Sequence, residues 1–233
     1  MAKDLLEARN FFLEFTGRFD LGIIDNGEYG ANKYINAGQR LLDELSGFQN
    51  GYNRHFDSVA AGTYYVELSN CRVIEEVWCN DSEERWRLNK ADFSVLVTTY
   101  PDLVSEIDQA DPYIWTPARP RTSGDDKTTL GTFLDYTADN IKDARGILFA
   151  PPNDEAMLIE VYGKFWTPEL DADDEQTFWT QRSMLLAWAA CYQLEVGYRN
   201  TEGSKDWMAA IQRELRELEK DVVEEESVNQ LNG

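Results

Sequence analysis

Residues 184–191 read MLLAWAAC, and the helix around them, expected over about 175–199, is apolar on nearly every side. A helix without a polar face cannot rest on a surface, so other elements have to wrap it. The apolar run of eight residues is far short of the roughly 20 that cross a bilayer. Before it come a strand candidate (RGILFAPP), a turn at Pro151 and Pro152, a long strand and an acidic linker. Residues 145–198 therefore describe a buried scaffold, and none of them belongs to a catalytic motif.

The remaining chain must supply the wrapping. A first helix is expected over 3–15, with Leu5, Leu6, Phe12 and Leu13 on one side. A second, over about 29–45, places Ile35, Gly38, Leu41, Leu42 and Leu45 at helical spacing, with Gly38 permitting close approach of another element and Gly47 and Gly51 ending it. A last helix carries Trp207, Ile211, Leu215, Leu218 and Val222, and Gly203 and Ser204 are expected to break and recap the chain before it. Glu224, Glu225 and Glu226 face the negative end of its dipole, so the tail beyond Val222 is expected to fray or to be held by a partner.

Between the helices the period changes. TYYVELSN, RVIEEVWC and ERWRLNK carry β-branched and aromatic residues in short runs, and PYIW and LGTFLDYTA are further strand candidates. Residues 91–99 suggest a short helix, with Asp92 near its start and Pro101 past its end. Residues 156–166 read as the longest strand, with Met157, Ile159, Val161, Gly163 and Phe165 on the core face and Leu158, Glu160, Tyr162 and Lys164 on the other. The expected fold class is α+β: a helical bundle from both chain ends (1–62 and 168–233) with an inserted strand-rich, sheet- or sandwich-like module (63–167) and a projecting loop at 116–132.

The chain has 43 acidic and 22 basic residues, a formal net charge of −21. That balance argues against a protein that grips nucleic acid or docks on anionic membranes, both of which need Lys and Arg. The N-terminus has no apolar signal core, so a soluble protein made in the cytoplasm is expected. Cys71, Cys79 and Cys191 form no close pair and are expected to be buried free thiols. The single histidine, His55, lies in a polar passage and suits a surface or cap position better than a triad.

No Cys-x-x-Cys, phosphate-cradling loop or nucleophile elbow occurs, so no cofactor, metal or catalytic residue is assigned and no enzyme is expected. DADDE at 171–175 lacks the glycine and spacing of a calcium loop and reads as charge at the start of the apolar helix. Among so many acids, any one carboxylate pair is uninformative as a hydrolase site. Trp78, Trp86, Trp115 and Trp166 suit core or subunit-interface burial.

Three stretches carry a resemblance: YINAGQRLLDEL; NCRVIEEVWCNDSEERWRLNKADF, leading to Tyr100-Pro101; and GILFAPPNDEAMLIEVYGKFWTPELDADDEQTFWTQRSMLLAWAACYQLE. They resemble the head-to-tail adaptor (connector) proteins of tailed bacteriophages, and the resemblance covers about residues 29–218. The resemblance implies a virion protein forming a ring, usually of twelve copies, between portal and tail. Double-stranded DNA would pass through its channel without specific binding, and an acidic lumen would repel phosphate. It further implies portal contacts from the C-terminal segment, with Val222, Val223, Val228 and Leu231 as candidates. Arg119, Arg121, Asp125, Asp126 and Lys127, in the projecting loop, are candidates for binding tail, nozzle or fibre proteins or a neighbouring subunit. A neck stopper or tail-completion protein, a carboxylate-based polysaccharide hydrolase and an acidic mimic of DNA are the alternatives.

Overall fold

The computed structural model describes residues 3–22, 30–46, 52–68, 70–81, 83–100, 109–118 and 146–231, with the backbone alone at 97, 118 and 221–231. The fold is α+β, and the chain divides into two compact units: residues 1–51 with 166–233, and residues 52–165 between them. The boundaries expected near 63 and 167 lie instead at 51/52 and 165/166. The first one moves because residues 52–59 form a strand. The candidate strand at 130–138 lies outside the described residues.

The first unit is helical: α1 (Leu5–Thr16), α2 (Ala31–Leu45), α4 (Ser183–Gly197) and α5 (Thr201–Leu231). The apolar helix α4 is its centre, packed by α1, α2 and α5, with Leu185, Leu186, Ala187, Ala189, Ala190, Cys191 and Leu194 buried. Gly38 of α2 makes the closest approach. A Cβ there would sit 2.9 Å from the Ala190 amide nitrogen and 3.1 Å from the Ala189 carbonyl carbon, so only glycine fits without moving α4. On α1 the buried set is Leu5, Ala8, Phe12 and Leu13, whereas Leu6 is 44% exposed. Along α5, Ile211, Leu215 and Leu218 are buried and Trp207 packs beside them.

The acidic linker corrects the expected start of the apolar helix. Helix α4 begins at Ser183 after a 3-10 turn at Thr180–Arg182, eight residues later than expected. Thr180 closes this lead-in: its hydroxyl accepts from the Thr177 amide at 2.9 Å and donates to the Thr177 carbonyl at 2.9 Å. The acidic residues serve α1 instead. Carbonyls of Glu175 and Asp173 accept the Leu5 and Leu6 amides, each at 3.1 Å, and the Asp173 carboxylate pairs with Arg9 at 2.8 Å. Asp4, accepting from the Glu7 amide at 3.0 Å, completes the first turn.

Helix α5 starts at Thr201, so Gly203 and Ser204 lie inside its first turn. The break falls at residues 198–200, where Arg199 has φ 61° and the Asn200 side chain accepts the Gly203 amide at 3.3 Å. The helix also runs beyond Val222 to Leu231. Glutamate is a good helix former, and the dipole penalty is confined to the last turn. Five further residues place Glu224, Glu225 and Glu226 outside that turn.

A polar stripe on α2 fixes the chain as it returns from the second unit. The Asn36 amide group pairs with Leu170 as a strand would, donating to its carbonyl and accepting its amide, both at 2.9 Å. Buried Gln39 donates to the Pro168 carbonyl at 3.2 Å and accepts the Thr177 hydroxyl at 2.6 Å. The buried Asp43 carboxylate accepts the Thr167 amide (2.7 Å), the Thr167 hydroxyl (2.8 Å) and the Trp179 indole N–H (2.7 Å).

The second unit is a two-sheet sandwich. One sheet has the order β1 (Tyr52–Val59), β8 (Met157–Phe165), β3 (Cys71–Asn80), β4 (Arg85–Arg87), all antiparallel. The other has the order β2 (Tyr65–Glu67), β7 (Gly146–Ala150), β6 (Ile114–Ala118), β5 (Asn89–Lys90), with β5 and β6 parallel. Inner faces meet through Val59, Val77, Ile159 and Val161 from the first sheet and Val66, Trp115, Ile147 and Phe149 from the second. Short helix α3 (Phe93–Thr99) sets Leu96 against Ile114 and Leu148, in a small core of their own.

Strand β8 has the expected core face, but β3, at ten residues against nine, is the longest strand described. Opposite a bulge in β3, a Cβ on Gly163 would lie 2.0 Å from the Val73 carbonyl oxygen, so that position admits no side chain.

Replacing Asp43 with alanine leaves the Trp179 and Thr167 N–H groups without their acceptor. The expected loss is about 3 kcal/mol for the helical unit, with a smaller loss for Asp43→Asn. Urea unfolding followed by far-UV circular dichroism checks both.

Candidate interaction surface

The outward face of the four-stranded sheet β1-β8-β3-β4 carries the densest polar chemistry described in the second unit. Because facing residues of an antiparallel pair share a side, the register gathers its groups. Arg54 and Glu76 flank Tyr162, Phe56 and Trp78 flank Glu160, and Arg87 lies opposite Trp78. Tyr52 and Lys164 extend the same face. It stays open: Tyr52 and Phe56 are 43% and 47% exposed.

Glu160 organises this face. Its side chain is 2% exposed, and burying a lone carboxylate so deeply is costly unless cations neutralise it. Oε2 accepts from Arg54 Nη2 at 3.0 Å, Arg85 Nη2 at 2.9 Å and Nε at 3.2 Å, and the Tyr162 hydroxyl at 3.3 Å. Arg85 Nη2 also donates to the Tyr162 oxygen at 3.0 Å. Burial alone would push the Glu160 carboxyl up. The guanidiniums of Arg85 and Arg54 outweigh burial and hold it below the usual carboxylate range.

Aromatic rings support the two arginines. The Arg54 guanidinium lies 4.3 Å from the Phe56 ring centre and 5.3 Å from that of Tyr162, and Arg85 lies 4.2 Å from the Trp78 ring centre. The Trp78 indole donates to Glu76 at 3.0 Å, and Glu76 pairs with Arg87 at 3.0 Å. Four cations (Arg54, Arg85, Arg87 and Lys164) thus face three carboxylates (Glu76, Glu160 and Glu75 at the bulge) in a chain of net charge −21. Arg54 and Arg87 each spend one nitrogen on a carboxylate and keep N–H groups turned to solvent at 44% and 56% side-chain exposure. Fixed guanidinium forks beside aromatic faces recognise carboxylates. A carboxylate held ionised by two guanidiniums is not poised to act as a general acid.

None of the residues expected to bind partners is among those described on this face. Val222, Val223, Val228 and Leu231 lie in the described backbone of α5, in a helix rather than a frayed tail. Arg119, Arg121, Asp125, Asp126 and Lys127 lie outside the described residues. His55, expected at a surface or cap position, sits half-buried in β1 with its ring 6.2 Å from that of Phe165. Of the four tryptophans, Trp115 is buried, whereas Trp78 lies on the outward face.

Arg54, Arg85 and Glu160 were not singled out from sequence. The signal was the alternation of Glu160, Tyr162 and Lys164 on the polar face of β8, with the Arg-Trp-Arg run of β4 to answer it. Elsewhere, a recess of about 270 Å3 in the helical unit is lined by Lys3, Arg182, Ser183, Met184, Trp188 and Glu214. Among the described residues no group of three or more His, Cys, Asp or Glu side chains is placed to hold a metal ion. No described helix is long and apolar enough to cross a membrane.

All three cysteines are buried free thiols, and burial pushes Cys79 and Cys191 up to about 12. A thiol-reactive disulfide reagent at neutral pH is expected to modify none of them in the folded protein and all three after denaturation. Glu160 gives a pH dependence of known sign. Its folded pKa is depressed, so its stabilisation is complete above the unfolded value of about 4.3 and is lost as pH falls through the folded one. Glu160→Gln is expected to cost about 2 kcal/mol at neutral pH. It should also flatten the fall in stability below about pH 4, read from urea midpoints across pH.

Compared with family models and with curated proteins, the chain matches none.

Proposed function

We propose that this protein is a non-enzymatic structural subunit of a ring that joins the portal vertex to the tail of a tailed bacteriophage. In this reading copies assemble around the DNA channel, usually twelve in such rings, and offer a surface on which the tail docks. The acidic excess suits a lumen that passes double-stranded DNA without holding it, because it supplies few cations to replace phosphate counterions.

The observation that supports this reading most is the layout of the chain. A helical unit built from both chain ends holds a β sandwich as an insertion and ends in the 31-residue helix α5. At 1.5 Å per residue such a helix is about 46 Å long, and the buried core residues described on it end at Leu218. That arrangement agrees with the resemblance over residues 29–218. The end of α5, with Val222, Val223, Val228 and Leu231, is assigned to the portal. The segment with Arg119, Arg121, Asp125, Asp126 and Lys127 is assigned to tail proteins or the neighbouring subunit.

Native mass spectrometry with and without portal tests the reading. A ring-sized assembly bound to portal is expected, and a stable monomer that cleaves polysaccharide would sink it. Removing residues 222–233 should abolish capture of portal in a pull-down while the circular dichroism of the rest persists. Unchanged capture would remove the C-terminal assignment.

A further inference from the structure

We infer that the arginine–aromatic face of the β1-β8-β3-β4 sheet receives the acidic turn at residues 169–175 of a second copy of this chain. The inference rests on the reading that copies assemble, and it names the contact between neighbours.

Charge complementarity selects this occupant. Residues 169–175 hold five acids, Glu169, Asp171, Asp173, Asp174 and Glu175, every one exposed. Three are committed locally: Glu169 to Arg40, Asp173 to Arg9, and Glu175 to the amides of Asp171 and Ala172. The carboxylates of Asp171 and Asp174 have no partner among the described residues and point into solvent. The turn is also rigid, because its carbonyls cap α1 and the Leu170 backbone is paired with Asn36. Two free carboxylates on a fixed turn match two guanidiniums, Arg54 and Arg87, that keep unspent N–H groups.

Both sides are organised before they meet. Glu160 and the rings of Phe56 and Tyr162 hold the Arg54 fork, and Glu76 holds Arg87, so less side-chain freedom is lost on contact. Face and turn are different patches on one chain, so the contact is head-to-tail, the kind that closes into rings.

Sedimentation velocity of the full chain at low and moderate salt, with paired charge reversals, tests this. Asp171→Lys with Asp174→Lys changes exposed side chains that hold no partner among the described residues. Arg87→Glu with Lys164→Glu reverses the face without touching the arginines on Glu160. Circular dichroism of each variant should match the wild type. Wild-type chains are expected to self-associate at low salt and to dissociate as salt rises. Each double variant should weaken association at least tenfold, and an equimolar mixture of the two should recover most of it, because each restores the other's contact in trans. Wild-type chains that stay monomeric at low salt overturn the inference, yet leave assembly on portal standing. Association that neither variant weakens overturns it and points to a different ring contact. Variants that weaken association without recovery in the mixture also overturn it.

Discussion

The helical unit depends on three polar side chains of one helix. Asn36, Gln39 and Asp43 lie on one face of α2, and together they hold Thr167, Pro168, Leu170, Thr177 and Trp179. Apolar packing of α4 against α1 and α2 gives the unit its core but is nearly indifferent to the path by which the chain arrives. Hydrogen bonds are not indifferent. Each needs its partner at one distance and angle, and a buried donor left unpaired costs about 1–3 kcal/mol. The stripe therefore sets where the returning chain lies, and with it the start of α4 at Ser183.

The β unit solves a related problem at Glu160. Its second sheet is covered on both faces, by the sandwich core and by α3. The first sheet has one dry face and one open face, and the buried carboxylate sits under the open one. A buried ion pair is weak evidence for stability, because desolvation offsets much of the attraction. What Glu160 contributes more clearly is direction: two long, flexible cations are pinned flat against aromatic rings. The cost of ordering them is met inside the fold rather than at the moment of contact.

Elements driven by apolar pattern were legible in the sequence. The apolar helix, the close approach at Gly38, the core face of β8 and the stripe of Ile211, Leu215 and Leu218 follow from spacing alone, since burial is a local property of a face. Strand β1 was missed because its inner face carries Asn53, His55 and Asp57 while its rings, Tyr52 and Phe56, point outward. No alternation of the usual sign marks it. The acidic linker was read as charge for the helix that follows it, when it caps α1 about 170 residues earlier in the chain. The Glu160 cluster was hidden for the same reason: its partners come from β1, β3, β4 and β8. Polar side chains choose partners by three-dimensional proximity, and sequence spacing does not encode that choice.

The bond between the acidic turn and the first turn of α1 also orders events during synthesis. The β unit is one continuous stretch of 114 residues, 52–165, and has all its strands once the last of them leaves the ribosome. Helices α1 and α2 emerge before it, yet the turn that closes α1 and the helix that covers α2 are translated after it. At about 5–20 residues per second, the first two helices wait on the order of ten seconds for their partners. The insertion is complete in sequence before the body that carries it can close.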